Sequence, residues 1–185
     1  MDEEYLFQFA GPGEEDGQFV WPTGIELDDQ DNSYVSDEWL HRISIFDKEG
    51  NFLTKWGTQG SGDGELNGPS GMAFDNEGNL LVCDSHNGRI QKFTRDGKFL
   101  LKWGSHGSGP GELNLPWGLT ADSQGDVLVA DWGNNRVQRF SSTGDFLAVY
   151  GTPSPFAGNT GPKDAPVDYI LGMAKGVVTA GPGEL

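Results

Sequence analysis

GSHGSGPGELNLPWG, residues 104–118, holds too much glycine for a helix or a strand interior, and GTQGSGDGELNGPSG, residues 57–71, says nearly the same thing earlier in the chain. An unconstrained linker has no reason to be written twice. The two stretches lie 47 residues apart, and other positions keep that step: Pro22, Pro69 and Pro116; Asp37, Asp84 and Asp131; Arg42, Arg89 and Arg136; Phe46, Phe93 and Phe140. Laid over each other without a gap, Thr58–Gly104 and Ser105–Gly151 agree at 22 of 47 positions. A fixed period of this length marks a repeat architecture.

Inside one period the apolar residues come in four bursts separated by turn chemistry. In the second copy these are Gly71–Asp75, Leu80–Asp84, Arg89–Thr94 and Phe99–Trp103, with Asn76–Asn79, Ser85–Gly88 and Arg95–Lys98 between them. Connections this short join antiparallel neighbours only, so each period is a four-stranded meander. A lone meander leaves two apolar faces uncovered and must bury them against copies of itself, which radial stacking achieves. The predicted fold class is therefore all-β: a partial β-propeller of four-stranded antiparallel blades. The glycine-rich stretches become joints from the outer strand of one blade to the inner strand of the next, with Pro116 fixing φ at the entry. They are not phosphate cradles.

The expected organisation is a single domain over 1–185. It has an outer strand of an incomplete blade at 5–10, blades at 22–57, 69–104 and 116–151, and an atypical C-terminal segment at 152–185. Three blades do not close a ring, so either self-association of copies or packing of the chain's own end is expected to cover the open faces.

Composition bounds the partners. Twelve Lys plus Arg against 28 Asp plus Glu give a formal charge of −16, which repels phosphate backbones and anionic lipid headgroups. Neither nucleic acid nor membrane is expected as a partner, and no apolar run is long enough to span a bilayer. The start, Met1-Asp-Glu-Glu4, is unlike a signal peptide. Cys83, the one cysteine, replaces Ser36 and Ala130 of the other copies and reads as a core residue.

The stretches LLVCDSHNGRIQKF (80–93) and VLVADWGNNRVQRF (127–140), each following Pro-x-Gly and leading to a further glycine turn, resemble the NHL repeat of six-bladed propellers. The resemblance covers residues 5–151 and centres on Asp-x-x-Asn-x-Arg at 84–89 and 131–136; the first copy departs from it with Leu40 in the Asn place. It implies a propeller that most often serves as an interaction module. Some relatives bind RNA through a basic face, a property not expected of this acidic chain.

Each motif has a structural reading. Asp37 with Arg42, Asp84 with Arg89 and Asp131 with Arg136 recur in every copy, five residues apart across a hairpin turn, and read as structural forked pairs. Asp28–Asn32, Asp75–Asn79 and Asp122–Asp126 offer hard oxygens but lack calcium-loop spacing, and read as turns. His41, His86 and His106 fall at three different loop positions in the 47-residue register, so no metal cluster is expected, and no cofactor.

Positions that change while their loops stay fixed are the informative ones. Trp21, Trp39, Trp117 and Trp132, joined by His86, are the expected binding residues. Trp56 and Trp103, replaced by Tyr150 in the third copy, are expected between blades. The function expected from these residues is a non-catalytic scaffold that binds protein, peptide or glycan through blade loops, with a homo-oligomer as one way to close the ring. The alternative is a propeller enzyme of lactonase or amidating-lyase type, with a metal in the central channel towards which inner-strand acids such as Glu26 would converge.

Overall fold

The computed structural model describes residues 8–151. Residues 5–7 of the expected outer strand and the segment 152–185 lie outside the described residues. Three four-stranded antiparallel sheets follow one another along the chain. The first is β3 (Pro22–Leu27), β4 (Ser33–Asp37), β5 (Arg42–Phe46) and β6 (Phe52–Trp56), preceded by a small parallel pair, β1 (Gly11–Pro12) and β2 (Gln18–Phe19). The second is β7 (Pro69–Phe74), β8 (Leu80–Asp84), β9 (Arg89–Phe93) and β10 (Phe99–Trp103). The third is β11 (Pro116–Ala121), β12 (Val127–Asp131), β13 (Arg136–Phe140) and β14 (Phe146–Tyr150). The fold is the expected partial propeller.

The sheets stack through two apolar layers. Between the first and second lie Tyr34, Ile43, Ile45, Leu66, Met72, Leu80, Val82 and Phe93; the layer between the second and third includes Ile90, Leu119, Val129 and Phe140. Each fully buried side chain of this size contributes about 1.5–3 kcal/mol. Trp56 crosses to Phe93, with ring centroids 4.9 Å apart, and Trp103 crosses to Phe140. A Cβ on Gly97 would lie 2.4 Å from the Trp56 indole, and one on Gly144 2.7 Å from that of Trp103. The turn glycine thus leaves room for the preceding sheet's tryptophan. On the first sheet's outer face Ile25 is 63% exposed, where its counterparts Met72 and Leu119 are 6% and 5% exposed.

The Pro-x-Gly motif sets how closely the inner strands approach. A Cβ on Gly24 would sit 2.5 Å from the Ser70 carbonyl oxygen, and one on Gly71 2.6 Å from the Trp117 carbonyl oxygen. Only glycine fits there. Hydroxyls close the seam: Thr23 donates to the Pro69 carbonyl at 3.0 Å, Ser36 to Ser70 at 2.6 Å, and Ser85 to Pro116 at 2.5 Å.

Arg89 shows why the connectors recur. Its Nε donates to Asp84 Oδ2 at 2.7 Å, while Nη1 and Nη2 donate to the carbonyls of Ser61, Gly62 and Glu65 at 2.8–2.9 Å. Asp84 also accepts from Asn67 N, Asn87 Nδ2 and Gln91 Nε2. Asp131 and Arg136 repeat the arrangement with Ser108, Gly109 and Glu112. The pairs are therefore single Nε contacts, unlike the fork read from sequence, because the guanidinium's far end is spent on the connector.

The first copy differs. Arg42 still grips the carbonyls of Glu14, Glu15 and Gln18, but its Nε is buried without a partner. Asp37 accepts instead from the backbone N–H groups of Val20, Trp21, Trp39 and Leu40. The side chains of Leu40 and Ser44, in the places of Asn87 and Gln91, supply no donor to Asp37; the Ser44 hydroxyl is itself buried and unpaired. Restoring the second copy's residues with Leu40→Asn and Ser44→Gln together is expected to raise stability by about 1–2 kcal/mol. Asp84→Ala is expected to cost about 3–5 kcal/mol. Urea unfolding midpoints check both, and a double variant less stable than wild type would contradict the assignment.

Candidate functional site

The turns between second and third strands (38–41, 85–88 and 132–135) lie at the end of the sheets where the connectors enter the inner strands. The Asp–Arg networks fix the bases of the second and third turns, and Asp37, accepting from backbone N–H groups, fixes that of the first. His41, Gly88 and Asn135 share the left-handed position, with φ of 51, 62 and 53°. Around that common frame the first tip carries Glu38, Trp39 and His41, the second Ser85 and His86, and the third Trp132 and Gly133.

Stacking the first two sheets brings three titratable tips together. His86 Nε2 lies 3.3 Å from Glu38 Oε1. Glu38 Oε2 is buried without a partner. His41 Nδ1 accepts from Gly68 N–H at 3.0 Å, which places the proton of neutral His41 on Nε2. Desolvation, then the nearby His86, holds the His41 imidazole below its ordinary pKa. Glu38 N–H donates to the Trp21 carbonyl at 3.0 Å, fixing the acid's backbone against the start of β3. Two imidazoles and a carboxylate thus stand together at the entry to adjoining inner strands.

The expected binding residues divide around this cluster. Trp21 and Trp39 are exposed on the first sheet, His86 belongs to the cluster itself, and Trp117 and Trp132 form a tilted pair on the third sheet. His106 lies in a connector, bridged to Leu113, outside the cluster. Glu26 lies on β3, half-buried, its pKa raised by desolvation. Burial also pushes the Cys83 thiol up, the reverse of what a nucleophile needs. The Asp28, Asp75 and Asp122 carboxylates each accept from the backbone N–H groups two and four residues on, and Asp75 and Asp122 also pair with Lys92 and Arg139. Among the described residues no group of three or more His, Cys, Asp or Glu side chains is placed to hold a metal ion. No helix among them is long and apolar enough to cross a membrane.

Sequence reading missed Glu38 and His41. Register alignment separates His41 from His86, yet they belong to corresponding turns of consecutive repeats, which stacking places side by side.

Comparison with known proteins places this arrangement in the propeller class. The NHL repeat family matches residues 66–93 and 113–140. The protein brain tumor of Drosophila melanogaster is 42% identical over 53 residues, 29% of this chain and 5% of its own length. A catalytically inactive virginiamycin B lyase from Staphylococcus aureus, solved with quinupristin, superimposes with a TM-score of 0.58 at 17% identity, over 78% of this chain and 44% of the lyase. A gluconolactonase from Xanthomonas campestris gives 0.52 at 19% identity, over 75% of this chain and 48% of its own. The chain thus spans less than half of each of these proteins. The expectation of a non-catalytic scaffold, not an enzyme, is corrected here: the structural neighbours of this fold include lyases and lactonases, which favours the alternative reading over the scaffold.

The His41 environment has a pH consequence. Its folded pKa lies below the unfolded value, so the unfolded chain binds more protons between the two, and this contribution to stability is lost as pH falls from about 6.5 through the folded pKa. His41→Asn, the residue that Asn135 supplies at the same left-handed position, is expected to flatten that slope. Urea midpoints at pH 7.5 and 5.5 measure it; equal slopes in wild type and variant would contradict the assignment.

Proposed function

We propose that this chain is the repeat-bearing part of an NHL-type propeller enzyme of the lyase or lactonase class, with the three intervals 22–57, 69–104 and 116–151 as its blades. Its acid–base centre is Glu38, His86 and His41. The observation that carries the reading is the convergence of two imidazoles and one carboxylate from turns of adjacent sheets, the second oxygen of that carboxylate being buried with no partner. In this reading Glu38 orients His86, as carboxylates orient catalytic imidazoles, and the proton on His41 Nε2 is available to a developing negative charge. The formal charge of −16 favours neutral or cationic substrates over anionic ones. Cyclic esters fit this preference and are what the likeness to the lyase and gluconolactonase recommends for testing.

The assay incubates the chain with γ- and δ-lactones and with quinupristin, reading product mass: hydrolysis adds one water, whereas elimination leaves the mass unchanged. Glu38→Gln and His86→Ala are each expected to lower turnover about 10²–10⁴-fold. Turnover untouched in both variants would remove the cluster from the mechanism.

A further inference from the structure

From the joint between the first two sheets we infer that Asn67–Gly68 is a self-modifying site: with His41 as base, Asn67 cyclises onto the nitrogen of Gly68 and becomes aspartate or isoaspartate. The chemistry is the chain's own and does not rest on the reaction proposed above.

An asparagine followed by glycine closes a five-membered imide most readily, because glycine puts no side chain in the way of its own nitrogen. The chain holds two such pairs, Asn67–Gly68 and Asn87–Gly88, each a half-buried asparagine before a buried glycine. Their surroundings are opposite. The Asn87 amide nitrogen donates to the Asp84 carboxylate and to the Gly60 carbonyl, both at 2.9 Å, and Gly88 N–H donates to the Ser85 carbonyl at 3.1 Å. That amide is held, and no base touches its nucleophile. The Asn67 side chain has no hydrogen-bond partner among the described residues, whereas Gly68 N–H donates to His41 Nδ1 at 3.0 Å. An imidazole thus already holds the proton that must leave, within the reach a general base needs.

The rest of the joint fixes this arrangement. Asn67 N–H donates to Asp84 Oδ1 at 2.6 Å, and the Asn67 carbonyl accepts from His86 N–H at 3.0 Å. A Cβ on Gly68 would lie 2.6 Å from His86 Nδ1, which places the second imidazole against the same peptide. His86, Asp84, Asp37 and Glu38 are the charged and titratable groups around His41, and desolvation keeps it neutral at pH 7. At the next joint Asn114 precedes Leu115, and Gly88 stands in the place of His41, so neither the labile pair nor the base recurs.

In the step itself the Gly68 nitrogen forms a bond to Asn67 Cγ as its proton passes to His41 Nδ1. The bond from Cγ to Nδ2 breaks, and the nitrogen leaves as ammonia with that proton. Solvent water then opens the imide at one carbonyl or the other, giving aspartate or isoaspartate. Either product sets a carboxylate between the sheets, and isoaspartate also lengthens the backbone beside both histidines.

The test incubates the full chain, folded and in unfolding urea, and follows both asparagine peptides by digestion and mass spectrometry, with isoaspartate resolved by chromatography. In the folded chain Asn67 is expected to convert at least tenfold faster than Asn87; in urea the two rates are expected to be similar. Above about pH 6.5, where His41 is neutral, the folded rate at Asn67 is expected to level off, while in urea it rises about tenfold per pH unit with hydroxide. His41→Asn is expected to slow conversion at Asn67 at least tenfold. A folded chain in which Asn67 converts no faster than Asn87 would overturn the proposal. So would a folded rate that climbs with hydroxide as the unfolded one does, or one unchanged by His41→Asn. The site comparison and the pH profile use the wild-type chain, and both read modification rather than turnover, so they fail or succeed apart from the lactone assay.

Discussion

An arginine with nowhere else to go holds this molecule's joints. Each connector between sheets is a loop with few side chains, and such a loop has carbonyl groups that must find donors and a large conformational entropy to lose. Arg42, Arg89 and Arg136 meet both needs by placing the two ends of one planar guanidinium against three carbonyls each. The guanidinium suits this because its donors are fixed in one plane, so one side chain orders a whole turn of backbone. In the second and third repeats that charge lies beside a carboxylate that is itself fully engaged: Asp84 and Asp131, at 0% exposure, each accept from several donors.

The first repeat shows which half of this network is indispensable. There Asp37 has turned to the backbone of Val20 and Trp21 and to the turn at 39–40, and Arg42 has lost its carboxylate contact, yet the three connector carbonyls are still held. Closing the joint is thus the constant requirement, and the Asp–Arg contact is one means of meeting it. The exchange leaves Arg42 Nε and the Ser44 hydroxyl unpaired in the interior. Those orphaned groups coincide with the repeat that contributes Glu38 and His41. In the first turn, sequence has moved away from the repeat's best hydrogen bonding where the titratable side chains cluster, as is common where function competes with stability.

Fold and site were legible to different degrees for one physical reason. The fold is set by what every period shares: Pro-x-Gly to bring inner strands together, aspartate and arginine to close the joints, tryptophan to cross between sheets. These recur at 47 residues and announce themselves. The site is set by what the periods do not share, and it forms between repeats, where register alignment gives no view. His41 and His86 appear two positions out of register, so alignment separates residues that stacking unites. Glu38 sits at the position of Ser85 and Trp132 and looks like noise until the sheets are placed side by side. The departure at Leu40 was visible, but its consequence was not, since the rerouting of Asp37 depends on backbone amides whose approach only folding defines.

The seam between inner strands links these observations to rigidity. Hydroxyls from Thr23, Ser36, Ser70 and Ser85 tie β3 to β7 and β7 to β11 within a few ångströms of the turns that carry Glu38 and His86. Side chains that exchange protons need their distances held to a fraction of an ångström, and loops rarely provide that alone. Here the tips are short, their bases are pinned by buried charge networks, and the strands beneath them are stitched. The third sheet ends the stitching with two indoles, so the same end of the molecule passes from the turns that carry Glu38, His41 and His86 to an aromatic pair across a single sheet. Both surfaces therefore arise from one structural fact: residue types at the tips and seam can change freely because the connector carbonyls are held by groups one turn below them.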